Sequence, residues 1–134
     1  MSYCTKHIIK IVKDTEPTLS DYAKFQELLA EVDSDFPKDN FVFVVRNGYL
    51  LDINWNYGCG RDWCDFEEDM LAVSKLMPDV DLKCAFIGEE SCAYPDNIKD
   101  GDAKILHYKN GEVIEDKPLE KKHLDWFMSV YRGR

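Results

Sequence analysis

Long hydrophobic runs and targeting segments are missing from this sequence of 134 residues. No apolar stretch approaches the roughly 20 residues that a helix needs to cross a bilayer. The first residues, Met1–His7, do not form a basic segment that leads into an apolar one, so no signal peptide is predicted. We therefore expect a cytoplasmic protein with no membrane partner, whose five cysteines stay reduced.

Complete catalytic and cofactor-binding motifs are missing as well. The pair Gly58-x-Gly60 lacks the rest of either phosphate-binding pattern. None of the three histidines, His7, His107 and His123, has a serine or cysteine neighbour in a recognisable nucleophile motif. These absences favour a non-enzymatic protein, for which neither a cofactor nor a metal is predicted.

The loop from Tyr57 to Cys64 supports one alternative function. It holds two thiols at the start of a predicted helix, where the helix N-terminus lowers the pKa of a thiol and favours the reactive thiolate. Two cysteines can also supply half of a zinc site. The two cysteines are separated by four residues rather than two, however, and acidic residues surround them. A thiol or metal-dependent enzyme that uses Cys59 and Cys64 is kept as an alternative.

Positive charge is scarce, because 17 basic residues face 26 acidic ones and the formal net charge is −9. Nucleic-acid backbones are bound mainly through Lys and Arg, so direct nucleic-acid binding is not expected. Four carboxylates lie near the end of the first predicted helix, where the helix dipole does not favour them: Glu27, Glu31, Asp33 and Asp35. They predict an interaction surface or, alternatively, an inhibitor that imitates nucleic-acid phosphates towards a DNA- or RNA-handling protein.

What the sequence contains is a regular alternation of strand and helix patterns. Strands are predicted at 7–12, 41–45, 49–55, 82–87, 103–108 and 112–114, and helices after Thr18, after Asp65 and from Pro118. The segment from Ser91 to Asp102 is predicted to be an irregular loop. The order β-α-β-β-α-β, followed by a hairpin and a helix, is that of a split βαβ sheet.

Local motifs mark several of these boundaries. Thr18 with Asp21, and Asp65 with Glu68, have the spacing of helix capping boxes. The pairs Asn47-Gly48 and Asn110-Gly111 lie between strand patterns and predict type I′ hairpin turns. We therefore predict one α+β domain over 1–134, with a ferredoxin-like core and two helices on one face over 1–90. A hairpin and a C-terminal helix over 91–134 extend it.

Apolar side chains occupy both faces of the predicted sheet, and two helices on one face do not cover the other. The C-terminal helix, with Trp126 and Phe127, is one element that can cover it. A partner protein or a second copy of the chain is the other. The predicted function is therefore protein interaction or regulation, with Trp126, Phe127 and the four carboxylates as the predicted interaction residues.

Single residues between Phe41 and Gly111 follow an order seen in a known family. They comprise a strand ending at Asp52–Trp55, Trp63-Cys64 entering a helix, a strand closing on Gly88-Glu89-Glu90, Ser91–Tyr94, and Tyr108–Gly111. In these features the segment resembles the YubB-like ferredoxin-fold domain of plasmid and phage proteins. The resemblance implies a mobile-element setting and the same fold, and it implies no catalytic residues.

Overall fold

The computed structural model describes residues 5–33, 42–53 and 65–132. Six strands and four α-helices lie in these ranges: β1 (Thr5–Val12), α1 (Leu19–Val32), β2 (Val42–Arg46), β3 (Tyr49–Ile53), α2 (Phe66–Leu76), β4 (Asp81–Gly88), α3 (Glu89–Ala93), β5 (Ala103–Lys109), β6 (Glu112–Pro118) and α4 (Leu124–Arg132). Short 3₁₀ turns lie at Pro95–Asn97 and Lys121–His123. The predicted α+β class is confirmed.

The strands form one six-stranded sheet in the order β2-β3-β1-β4-β5-β6, and all neighbouring strands are antiparallel. The first strand, β1, is therefore central, and it pairs with β3 on one side and with β4 on the other. The β5–β6 hairpin extends the sheet beyond β4, so β6 is an edge strand.

The two predicted hairpin turns are present. Asn47 and Gly48 have φ values of 52° and 82°, and Asn110 and Gly111 have φ values of 49° and 76°. Two successive positive φ angles are what a type I′ turn requires, and Asn and Gly accept them at little steric cost.

The helix starts differ from each other. At α1, the Thr18 side chain accepts a hydrogen bond from the Asp21 N–H and the Asp21 carboxylate accepts one from the Thr18 N–H, which confirms the predicted capping box. At α2, the Asp65 side chain makes no capping hydrogen bond, so the second predicted box is wrong. Carboxylates in the first turn, at Glu67 and Glu68, still interact favourably with the dipole of α2.

Two hydrophobic cores lie on opposite faces of the sheet. The first contains residues of α1 and α2, among them Phe25, Leu29 and Met70, packed on the strands. The second joins Ile8, Leu51, Ala85, Ile87 and Ala103 of the strands to Leu119, Phe127, Val130 and Tyr131 near the C-terminus. Helix α4 therefore covers much of the second face within a single chain, and this apolar surface does not require a partner.

The C-terminal third corrects two expectations. Pro118 ends β6 instead of starting a helix, and α4 begins only at Leu124. The predicted loop 91–102 contains the end of α3 and a 3₁₀ turn. The buried Ser91 hydroxyl holds this segment together, because it donates to the Asp102 carboxylate at 2.6 Å and accepts from the Lys99 N–H at 3.2 Å.

Candidate functional site

The predicted interaction residues do not form one surface. Glu27 and Glu31 are exposed on α1, and Asp33 is half-buried where that helix ends. Trp126 and Phe127 belong to α4, which packs on the opposite face of the sheet from α1. Three residues of the prediction lie outside the described residues: Asp35, Cys59 and Cys64.

Trp126 and Phe127 are neighbours in sequence but have different environments. Phe127 is 0% exposed and packs in the second core, whereas Trp126 is 41% exposed at the edge of α4. Phe127 therefore stabilises the fold and is removed from the predicted interaction surface. Trp126 stays available to a ligand.

Strand β6 is an open regular element near the C-terminal end of the described residues. It forms one edge of the sheet, and all of its seven residues are exposed. Sequence reasoning ended this strand at Ile114, because the following Glu115–Lys117 has no alternation of apolar and polar side chains. The pairing of Lys104 with Pro118 shows that it continues to its seventh residue.

The turn that leads into β6 is fixed against α2. The Gly111 N–H donates to the Ser74 hydroxyl at 3.0 Å, and this buried hydroxyl donates to the Leu71 carbonyl at 2.7 Å. A Cβ atom on Gly111 would lie 3.3 Å from the Lys75 Cβ, so the backbone passes close to the helix. Ser74 thus holds the start of β6 in place.

Lys104 on β5 connects the middle of β6 to α2. Its ammonium group lies 3.0 Å from a Glu67 carboxylate oxygen and 3.5 Å from an Asp116 carboxylate oxygen. The hydrogen bond to Glu67 is the main reason why the pKa of Lys104 is raised, so this lysine stays charged at neutral pH. Both carboxylates are partly exposed, and the pairs contribute little to stability but fix the position of the side chains.

The far end of β6 is fixed by Leu119, which is fully buried and whose N–H donates to the Ala103 carbonyl at 3.0 Å. Hydrogen-bonded and non-hydrogen-bonded pairs alternate along an antiparallel ladder. Leu119 and Lys117 therefore direct their N–H groups towards β5, and the Asp116 N–H points away from the sheet. The outer edge of β6 thus presents the Asp116 N–H and backbone carbonyl groups, while Pro118 offers no N–H at the end of the strand.

A β-bulge changes β6 near its start. The register passes from His107 opposite Glu115 to Tyr108 opposite Val113, so Ile114 is the extra residue. Val113 and Ile114 are 52% and 53% exposed. This edge therefore presents two large apolar side chains, and Glu112, Glu115 and Asp116 place carboxylates beside them.

Among the described residues, no group of three His, Cys, Asp or Glu side chains is placed to hold a metal ion. Within the same residues, no helix is both long and apolar enough to cross a membrane.

Comparisons with family models, with curated proteins and with solved structures give no match for this chain. The resemblance to the YubB-like domain therefore stays a prediction.

Proposed function

We propose that this chain is a non-enzymatic protein-interaction domain that binds an extended, basic segment of a partner protein along β6. The observation that carries the proposal is the geometry of this strand, which is fixed at both ends and open along its outer edge. An extended peptide can add to such an edge through main-chain hydrogen bonds. Because the edge is already ordered, little conformational entropy is lost from this chain on binding.

The charges of β6 favour a basic partner strand. Glu112, Glu115 and Asp116 outnumber Lys117 along the edge, and the whole chain carries a formal net charge of −9. Opposite charges on paired strands are stabilising, and like charges directly opposite each other are destabilising. A strand that alternates Lys or Arg with apolar residues would match the carboxylates as well as Val113 and Ile114.

The bulge and the carboxylates also limit which strands can pair. Natural edge strands carry charges and bulges that prevent indiscriminate sheet extension. At β6 the bulge at Ile114 disturbs the hydrogen-bond ladder. The acidic side chains repel an acidic strand, and β6 of a second copy of the chain is such a strand. Selectivity for a basic segment follows from these same features.

The test is an NMR titration of the full chain with a synthetic peptide that alternates Lys and Val. We expect saturable shifts of the backbone amides of 112–117. Asp116→Pro removes an outward N–H and should abolish binding, whereas the matched variant Asp116→Asn keeps the N–H and should weaken binding only about two- to threefold, as expected for an exposed charge. Intact β5–β6 cross-strand contacts in both variants show that the hairpin still folds.

Three results would contradict the proposal. The first is equal binding of a peptide that alternates Glu and Val. The second is unchanged binding by Asp116→Pro together with loss of binding when Glu27 and Glu31 are changed to Lys, which would favour the alternative of phosphate imitation by α1. The third is a dimer of the unliganded chain that Asp116→Pro dissociates, since β6 would then belong to a homodimer interface.

The proposal includes a ferredoxin-like core in the cytoplasm. The order β2-β3-β1-β4, with α1 and α2 on one face, supports this core, and the β5–β6 hairpin extends it. Free Cys84 and Cys92 thiols suit a reducing compartment. The segment that resembles the YubB-like domain spans part of this core, so a mobile-element origin remains part of the proposal.

A further inference from the structure

Helix α4 leaves one row of the second sheet face uncovered. Its core residues pack above Ile8, Leu51 and Ala85. The next row across the sheet runs through the paired positions Tyr49, Lys10, Lys83 and His107 and reaches Glu115 on β6. This row is polar and lies beside the exposed edge of α4.

A cleft lies where this row meets α4. It encloses about 240 Å³, and its walls include Tyr49, Lys83, His107, Glu115 and Trp126. Tyr49 and Trp126 are the two aromatic residues among the residues that line the cleft. The apolar side chains of Ile8 and Ile105 also line it.

The lysines of this row are not neutralised by the described residues. No carboxylate of the described residues lies within salt-bridge distance of Lys10 or Lys83. The Lys10 ammonium group lies 5.2 Å from the centre of the Tyr49 ring, in a cation–π arrangement that leaves its charge uncompensated. Lys10 and Lys83 thus place two ammonium groups in one row of a chain whose formal net charge is −9.

The nearby carboxylates are already engaged. Asp81 contacts the His107 Nε2 at 2.6 Å and the Lys109 ammonium at 3.4 Å. Glu115 lies at the rim of the cleft, 3.7 Å from the ammonium of Lys117. The charge of Asp81 is therefore largely compensated by its partners, whereas the Glu115 carboxylate opposes an anion at the rim of the cleft.

We propose that this cleft binds a small aromatic anion, with its ring against Trp126 and Tyr49 and its phosphate or carboxylate near Lys83. Pockets for drug-sized ligands usually enclose about 300–1,000 Å³, so this smaller cleft matches a single ring with one anionic group. Such a group can belong to a free metabolite or to a modified aromatic side chain of a polypeptide. The site is separate from the outer edge of β6.

The test uses phenyl phosphate, with inorganic phosphate and phenol as single-feature controls, in an NMR titration of the full chain. We expect saturable shifts of the Trp126 indole signal, which is assigned by its loss in Trp126→Phe. Phenyl phosphate should bind about tenfold more tightly than either control. Equal affinities for phenyl phosphate and inorganic phosphate, or no saturation at millimolar concentration, would overturn the proposal.

Variants of single charges locate the anion. Lys83→Gln should weaken phenyl phosphate binding about tenfold, and Lys83→Arg should retain it. Lys24→Gln, the same change at an exposed lysine of α1, should have no effect. Equal weakening by both glutamine variants would show nonspecific attraction and contradict the site.

A damaged fold can explain why a variant binds phenyl phosphate more weakly, but not why a variant binds it more tightly. Glu115→Gln removes the carboxylate at the rim and should tighten phenyl phosphate binding, while it should weaken binding of the basic peptide to β6. If this one variant binds phenyl phosphate more tightly and the peptide more weakly, the cleft and the outer edge of β6 are separate sites. Weaker phenyl phosphate binding by Glu115→Gln would contradict the electrostatic argument.

A blocked phosphotyrosine amide distinguishes the two sources of the ligand. Affinity equal to or above that of phenyl phosphate would assign the cleft to a side chain of a polypeptide. Loss of affinity, because the blocked backbone groups clash with the walls, would assign it to a free metabolite.

Discussion

Gly111 and Gly48 occupy equivalent positions in two hairpin turns but have different surroundings. Both have a positive φ, which an L side chain adopts only with strain. A Cβ atom on Gly111 would meet Lys75 of α2, whereas a Cβ atom on Gly48 would meet nothing within 4 Å. A comparison of alanine substitutions at the two positions therefore separates the cost of backbone strain from the cost of close packing.

We expect Gly48→Ala to lower the free energy of unfolding by about 1–2 kcal/mol, because it introduces backbone strain alone. Gly111→Ala should lower it further and should also weaken peptide binding at β6, because the turn must move away from Lys75. Urea unfolding monitored by circular dichroism measures both effects. Equal losses for the two variants would show that Lys75 moves aside without cost.

Sequence reasoning placed both Asn-Gly turns correctly, but it did not show which of the neighbours Trp126 and Phe127 is buried. Asn-Gly between strand patterns reports a local backbone requirement, which a sequence displays directly. The burial of Phe127 and the exposure of Trp126 depend on how α4 is rotated on the sheet. Sequence reasoning assigned Trp126 and Phe127 together to the interaction residues, because the sequence alone does not specify this rotation.

Among the elements, α1 and α2 differ in how their first turns are satisfied. The hydrogen bond from the Thr18 N–H is the main reason why the pKa of Asp21 is lowered from the ordinary carboxyl value of 3.8, and Lys13, 3.3 Å away, acts in the same direction. A carboxylate with a lowered pKa stabilises the folded state above its unfolded-state pKa, and this contribution is lost as the pH falls through its folded-state pKa.

We therefore expect Asp21→Ala to lower the free energy of unfolding at neutral pH, and this deficit should disappear in acid well below pH 3.8. Asp65→Ala is the matched control, because the Asp65 side chain makes no capping hydrogen bond at the start of α2. Urea unfolding over a series of pH values measures the difference. A deficit that persists in strong acid would contradict the assignment to the ionised carboxylate.

Helices and strands with strong periodicity were predictable, whereas β6 and the 89–97 segment were only partly so. The apolar spacing of Tyr22, Phe25 and Leu29 marks α1 because one face of that helix is buried. Strand β6 buries none of its residues, so its sequence shows no two-residue period, and its extent is fixed by pairing with β5. The short α3 depends on Ser91 and Asp102, which meet only in the folded chain.

For the whole molecule, the question is whether both helical layers unfold together. Phe127 joins α4 to the second core, and truncation of a buried Phe costs about 3–5 kcal/mol. We expect Phe127→Ala to lower stability by that amount within a single unfolding transition. Trp126→Ala, one position earlier and partly exposed, should cost clearly less.

Fluorescence and far-ultraviolet circular dichroism, measured on the same denaturant series, check this expectation. Coincident transitions support one cooperative unit over 1–134. An early transition confined to Phe127→Ala would show that α4 and the β5–β6 hairpin form a separate unit, in agreement with a division of the chain near residue 90.

The central position of β1 also has a consequence for biosynthesis. Ile8 of this strand is synthesised more than a hundred residues before Phe127 and Tyr131, which pack with it in the second core. Until then, the nascent chain carries an unshielded apolar face, which is prone to aggregation and to binding by chaperones. A nascent chain that stops before Phe127 would therefore lack the residues that complete its second core.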